Sequence, residues 1–259
     1  MLGKLIKYDF KFLFKTILPL FVVTPILALF CRLFSKIGDN LSLLNVPIKL
    51  IMVLSVLFII FLPFVTFIIG IIKFYNSMIN DEGYLTHTLP VKKSNIILSK
   101  IFTSTVTLFL SIIISIACIF IAFNIGNDII KTIKDIIESV YKEDKLLLFL
   151  FPVTMLAGYI VDLMMVYAAM SLGQKHESKK LFAVVYFLAL YGINQVVMSI
   201  VIYAPALVIP NYIERMEDTT NITGYLDYML SIVCIVYIVL AVVYFGIINH
   251  FMSKKLNLD

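Results

Sequence analysis

Apolar residues along this chain gather in six long stretches, and charged residues fall almost entirely in the connectors between them. The stretches are Ile17–Leu33, Ile51–Ile72, Ile101–Ile125, Leu146–Leu172, Leu181–Tyr203 and Met229–Ile248. An α-helix rises ~1.5 Å per residue and a bilayer core is ~30 Å thick, so about 20 apolar residues cross it. Ile51–Ile72 carries no charge, whereas Arg32 lies near the outer end of the first stretch and Asp162 lies inside the fourth. The pattern predicts an all-α, polytopic membrane protein with six transmembrane helices. No internal repeat and no long linker divides it, so residues 1–259 read as one membrane domain.

Three shorter segments have a character of their own. Lys4, Lys7, Lys11 and Lys15 recur every three or four residues, which makes one basic stripe on a helix over residues 1–15. Leu5, Ile6, Phe10, Leu13 and Phe14 fill the rest, as in a helix that lies in the headgroup layer with its lysines toward phosphates. Asp9 interrupts the apolar side and calls for a polar partner in the folded protein. Residues 128–145 form a second amphipathic pattern, with Ile129, Ile130, Ile133, Ile136, Ile137, Val140 and Tyr141 on one face, suited to resting on the outer leaflet or to capping the membrane domain. The connector over 73–100 is shaped by an acidic turn at Asp81-Glu82-Gly83, a break at Leu89-Pro90 and an expected helix N-cap at Ser94. Pro205 to Pro210 extends the fifth stretch beyond one simple span and reads as a short re-entrant or surface piece. Pro19, Pro25 and Pro63 lie inside spans, where they kink a helix as pivots or as static packing features.

Charge changes the picture by giving an orientation. With the N-terminus inside, the inner segments hold 13 of the 21 basic residues: Lys4, Lys7, Lys11, Lys15, Lys73, Lys92, Lys93, Lys100, Lys175, Lys179, Lys180, Lys254 and Lys255. The outer segments hold the other 8: Arg32, Lys36, Lys49, Lys131, Lys134, Lys142, Lys145 and Arg215. Basic residues favour the cytoplasmic side, so both termini are expected there, in a multi-pass protein of the cell membrane. The net charge of +5 is then a collar against anionic headgroups and not a nucleic-acid patch. A hydrophobic fraction of 61% exceeds that of soluble domains. Cys31, Cys118 and Cys234 each fall in a span and read as small core residues. No cleavable signal is expected ahead of the first span, and the absence of Trp leaves the interfacial aromatic role to Tyr.

Candidate chemistry is sparse. A charge at mid-membrane costs ~2.5–3.5 kcal/mol on insertion scales, so Asp162 is expected to face the bundle interior or water. Counted from the inner helix ends, Asp162 and the pair Asn194-Gln195 lie at depths of about 15 and 20 Å, close enough to meet between helices. Either these residues line a substrate pathway or they make a hydrogen-bonded packing contact. No phosphate-binding loop exists among the 10 glycines. His87, His176 and His250 are scattered without metal-ligand spacing, and no span carries a paired-acid or HExxH arrangement. Asn221-Ile222-Thr223 matches a glycosylation acceptor on the outer side, a match short enough to arise by chance. No catalytic or metal site is expected.

Glu82-Gly83-Tyr84-Leu85, then Thr88-Leu89-Pro90-Val91, then Ser99-Lys100 resemble the "EGYL…TLPV…SK" stretch of small permeases of Gram-positive bacteria. With a basic N-terminal helix, six spans and no large soluble domain, the chain looks like the membrane-spanning permease subunit of type-2 ATP-binding-cassette (ABC) exporters. The ending Lys254-Lys255-Leu256-Asn257-Leu258 is similar to tails in that group. The resemblance covers the whole chain in architecture and about twenty residues in motif. It implies that the loop between spans two and three is a coupling element, assigned to Asp81, Glu82, Gly83, Tyr84, Leu89 and Pro90, with the N-terminal helix beside it. It also implies a separate cytoplasmic ATPase subunit that binds ATP and Mg, and a second permease subunit, identical or not. This chain would then hold no cofactor, catalyse nothing, and move antimicrobial peptides, lipids or other amphiphiles. A non-transporting scaffold or immunity protein, or an intramembrane enzyme using Asp162, are the rival expectations.

Overall fold

The computed structural model describes residues 2–38, 45–80, 83, 86, 88, 90–123, 127–208 and 222–254. These residues are helical with no strand among them, in seven long helices: α1 (Leu2–Gly38), α2 (Asn45–Met78), α3 (Lys93–Ala122), α4 (Asn127–Glu143), α5 (Lys145–Gly173), α6 (Lys179–Val208) and α7 (Ile222–Lys254). All but α4 are long and apolar enough to cross a membrane, the build of a multi-pass membrane protein. The chain divides into two compact units, Met1–Asn76 with Pro90–Thr132, and Ser77–Leu89 with Ile133–Asp259.

In the first unit α1 packs along α3, and α2 meets α3 through small and hydroxylated side chains. Ser99, Thr103, Ser104, Thr107, Ser111 and Ser115 of α3 are all buried. Ser115 Oγ donates to the Ile59 carbonyl of α2 at 2.9 Å, and the Ser111 and Thr66 hydroxyls share a hydrogen bond of 2.9 Å. One turn further, a Cβ on Gly70 would come within 3.1 Å of Ser104 Oγ, so glycine is what lets the two helices approach. Inside lipid there is no hydrophobic drive between helices, and small residues with interhelical hydrogen bonds supply the attraction instead. Ala28, Cys31, Ile59, Cys118 and Ala122 close the far end of this unit as an apolar cluster.

The second unit is organised on α5. Its buried side includes Val161, Leu163, Met164, Met165, Tyr167, Ala168 and Ala169. α7 runs parallel to α5, held at Gly158, where a Cβ would come within 3.2 Å of the Tyr237 ring, and at Gln174, whose Nε2 donates to the Phe251 carbonyl at 3.2 Å. α6 runs antiparallel after the turn at 174–178, with Gly173 against the Ala183 backbone. No residue in the most apolar window of α6 is buried, so this helix presents most of its surface outward.

Several boundaries differ from expectation. Residues 2–15 are the first turns of α1 and not a separate element, although Lys4, Lys7, Lys11 and Lys15 are all exposed as the stripe requires. The prolines at 19 and 25 do not interrupt the helix. α3 begins at Lys93, with Lys92 extended (φ −61°, ψ 129°) as its cap, and Ser94 falls inside the first turn. The Lys92 side chain makes no capping hydrogen bond, and the Asn95 N–H donates to the Lys92 carbonyl at 2.9 Å. α6 continues through Pro205 to Val208, while Ile209 and Pro210 lie outside the described residues. α4 matches the amphipathic segment over 128–145, with Ile137 and Tyr141 of its apolar face exposed. It ends at Asp144, whose carboxylate accepts from the Leu146 N–H at 2.8 Å and starts α5.

Candidate functional site

A buried polar contact joins α1 and α3 near the N-terminus of α1. Asp9, the residue that interrupted the apolar side of its segment, meets two residues of α3. Ser99 Oγ donates to Asp9 Oδ2 at 2.6 Å and Lys100 Nζ to Oδ1 at 3.3 Å. The Lys100 and Asp9 side chains retain only 6% and 16% exposure, so this is a buried ion pair and not a surface one. Lys73 of α2 stands over the Phe12 ring of α1 at 3.4 Å and adds a cation–π contact in the same unit.

The loop assigned to coupling is only partly visible. Asp81, Glu82, Tyr84 and Leu89 lie outside the described residues. Gly83 is buried, and its N–H donates to the Asn80 carbonyl at 2.7 Å, which closes a turn directly after α2. Pro90 is exposed at the bend that leads to Lys92 and α3. His87 also lies outside the described residues.

The mid-membrane polar residues of the second unit come to one level but do not bond. The Gly173–Ala183 approach sets the antiparallel register of α5 and α6, and equal rise from there places Asp162 level with Asn194. No hydrogen bond joins Asp162 to Asn194 or Gln195 among the described residues. The Asn194 side-chain oxygen is buried without a partner, while Gln195 and Asp162 are exposed. Within this chain Asp162 thus sits on an outer helix face and not in a sealed interior. Tyr237 and Tyr244 of α7 lie within electrostatic reach of it, Tyr237 brought close by Gly158 one turn away. Tyrosines on α7 were not singled out from the sequence, because an aromatic in an apolar run carries no mark of its neighbour.

At the 174–178 turn His176 stacks on Phe182 with centroids 3.8 Å apart, and its Nε2 hydrogen-bonds the Tyr186 hydroxyl at 3.1 Å. This occupies the imidazole in packing. Among the described residues no three His, Cys, Asp or Glu side chains gather as a metal ion would need.

No protein-family model, no curated protein and no solved structure matches the chain.

Proposed function

We propose that the protein is the membrane-spanning permease subunit of an ABC exporter, working with a separate cytoplasmic ATPase and a second permease subunit. The observation that carries this reading is the Asp9–Ser99–Lys100 contact. It ties the N-terminal basic helix to the residues that follow the α2–α3 loop, so a push on that loop reaches α1 and α3 together. Ser99-Lys100 is also the last part of the motif on which the resemblance rests. The exposed Asp162, with the nearby tyrosines and the level Asn194, supplies a polar surface in the membrane along which an amphiphile can pass. Both termini and the loop face the cytoplasm in this reading, and the exposed lysines of α1 rest against anionic headgroups.

The test is purification of the tagged chain in gentle detergent, with identification and ATPase assay of what accompanies it. An ABC ATPase is expected in the complex; a preparation that transports in vesicles without one overturns the reading. Asp81→Ala with Glu82→Ala is expected to weaken ATPase binding by at least about tenfold, the range for a lost interfacial charge pair, with membrane insertion unchanged. Unaltered binding and transport would remove the coupling role from these residues.

Asp162→Asn separates pathway from packing. The amide keeps the shape of the carboxyl and removes a charge that is costly at mid-membrane, so folded stability should be held or raised. Transport, measured in vesicles, should fall or change selectivity. A fully active variant would take Asp162 out of the pathway.

A further inference from the structure

A cleft opens in the first unit at the end away from the N-terminus of α1, between α1, α2 and the last turn of α3. Its volume is about 380 Å³, and it is lined by Cys31, Met52, Val53, Val56, Ala122 and Phe123, with Lys49 at the rim. The space exists because small side chains face one another here: Cys31 on α1, Ala122 on α3 and two valines on α2. Cys31 Sγ reaches the Met52 carbonyl at 3.8 Å, which ties α1 to α2 beside the cleft. From Lys49 to Val56 the wall runs along α2 for seven residues, about 10 Å of depth below the rim.

Charge and position identify the occupant. Lys49 opens the membrane-crossing part of α2, so its ammonium stands at headgroup level while the valines stand at acyl level. Lys49 is exposed and forms no ion pair or hydrogen bond with a described residue. An apolar slot with a lysine at its mouth that pairs with no described residue complements a molecule with one negative head and a hydrocarbon tail. We infer that the cleft binds an anionic phospholipid of the leaflet opposite the N-terminus, one acyl chain in the slot and its phosphate on Lys49. The site requires only that the chain spans a membrane, and it stands or falls independently of the transport reading.

The absence of Trp from the sequence makes a direct test possible. Phe123→Trp places one indole at the mouth of the cleft, and Tyr203→Trp places another on the exposed face of α6 as a reference. Each full-length variant is reconstituted into phosphatidylcholine vesicles containing brominated phosphatidylglycerol or, in parallel, brominated phosphatidylcholine. Bromine quenches the indole only in contact. At position 123 the anionic lipid should be preferred about fivefold, as for one lysine at a membrane surface, and at position 203 by little or nothing. Adding Lys49→Gln should abolish the preference. Adding Val56→Phe should fill the slot and reduce quenching by both lipids.

Equal quenching at the two reporters would overturn the proposal. So would a preference that survives Val56→Phe undiminished, because Lys49 would then act as a bare surface charge with no slot beneath it.

Discussion

Asp9→Ala is expected to destabilise the protein by about 3 kcal/mol, because truncating one member of a buried ion pair takes the opposite charge away from the other. Lys100 would remain in a pocket that leaves 6% of its side chain exposed, facing a space where a carboxylate had been. Ser99, itself fully buried, would lose the acceptor of its 2.6 Å hydrogen bond. The Asp9 side chain keeps 16% of its own exposure, so the loss falls at the low end of the usual range. Thermal unfolding in detergent, followed by helical circular dichroism, reads the loss. The double replacement Asp9→Leu with Lys100→Met should recover most of it, since an apolar pair of similar volume often matches a buried ionic one. If the double variant is as unstable as the single, the loss comes from backbone packing between α1 and α3, and the ion pair is not its cause. The sign of the combined effect decides the matter.

Gly173→Ala should cost a comparable amount, about 2–3 kcal/mol, for a different reason. A Cβ at this position would sit 2.6 Å from the Ala183 amide nitrogen and 2.9 Å from the Lys179 carbonyl oxygen. Those are backbone atoms, which cannot rotate away, so the start of α6 must move. Gly192 makes a useful control: a Cβ there meets nothing within 4 Å, and Gly192→Ala should be neutral or slightly stabilising, since alanine is the better helix former. Protease accessibility of the 174–178 turn would register the displacement. Equal behaviour of the two variants would mean that α6 is not seated on Gly173 at all.

The six spans were legible because hydrocarbon thickness imposes a length that composition alone reveals. Asp9 was legible as an anomaly, but its partners were not: Ser99 and Lys100 lie about ninety positions away, and only folding brings them together. The ladder of buried hydroxyls on α3 went unremarked for a related reason. Ser and Thr satisfy themselves on carbonyls of their own helix, as Thr103 and Thr107 do, so in sequence they look inert. Asp162 shows the limit from the other direction. A helix that is apolar on every side carries no amphipathic signal to say which face meets a neighbour, so depth could be counted from the sequence and direction could not. The cleft beneath Lys49 was invisible altogether, because it consists of what small side chains leave empty.

The two attachments between α5 and α7 have a mechanical consequence. Gly158 against Tyr237 and Gln174 against Phe251 fasten the parallel helices at points about 24 Å apart along their length. Two separated fastenings forbid independent rotation, so the pair behaves as a stiff double rod. Tilting such a rod by roughly 5° about one fastening carries the other through about 2 Å, the scale of helix shear in switching proteins. Asp162 rides on this rod just beside the deeper fastening. A tilt about the Gly158 fastening that moves the 174–178 end by about 2 Å therefore moves Asp162, four residues from that pivot, by only about 0.5 Å, so the carboxylate holds its place while the far end swings.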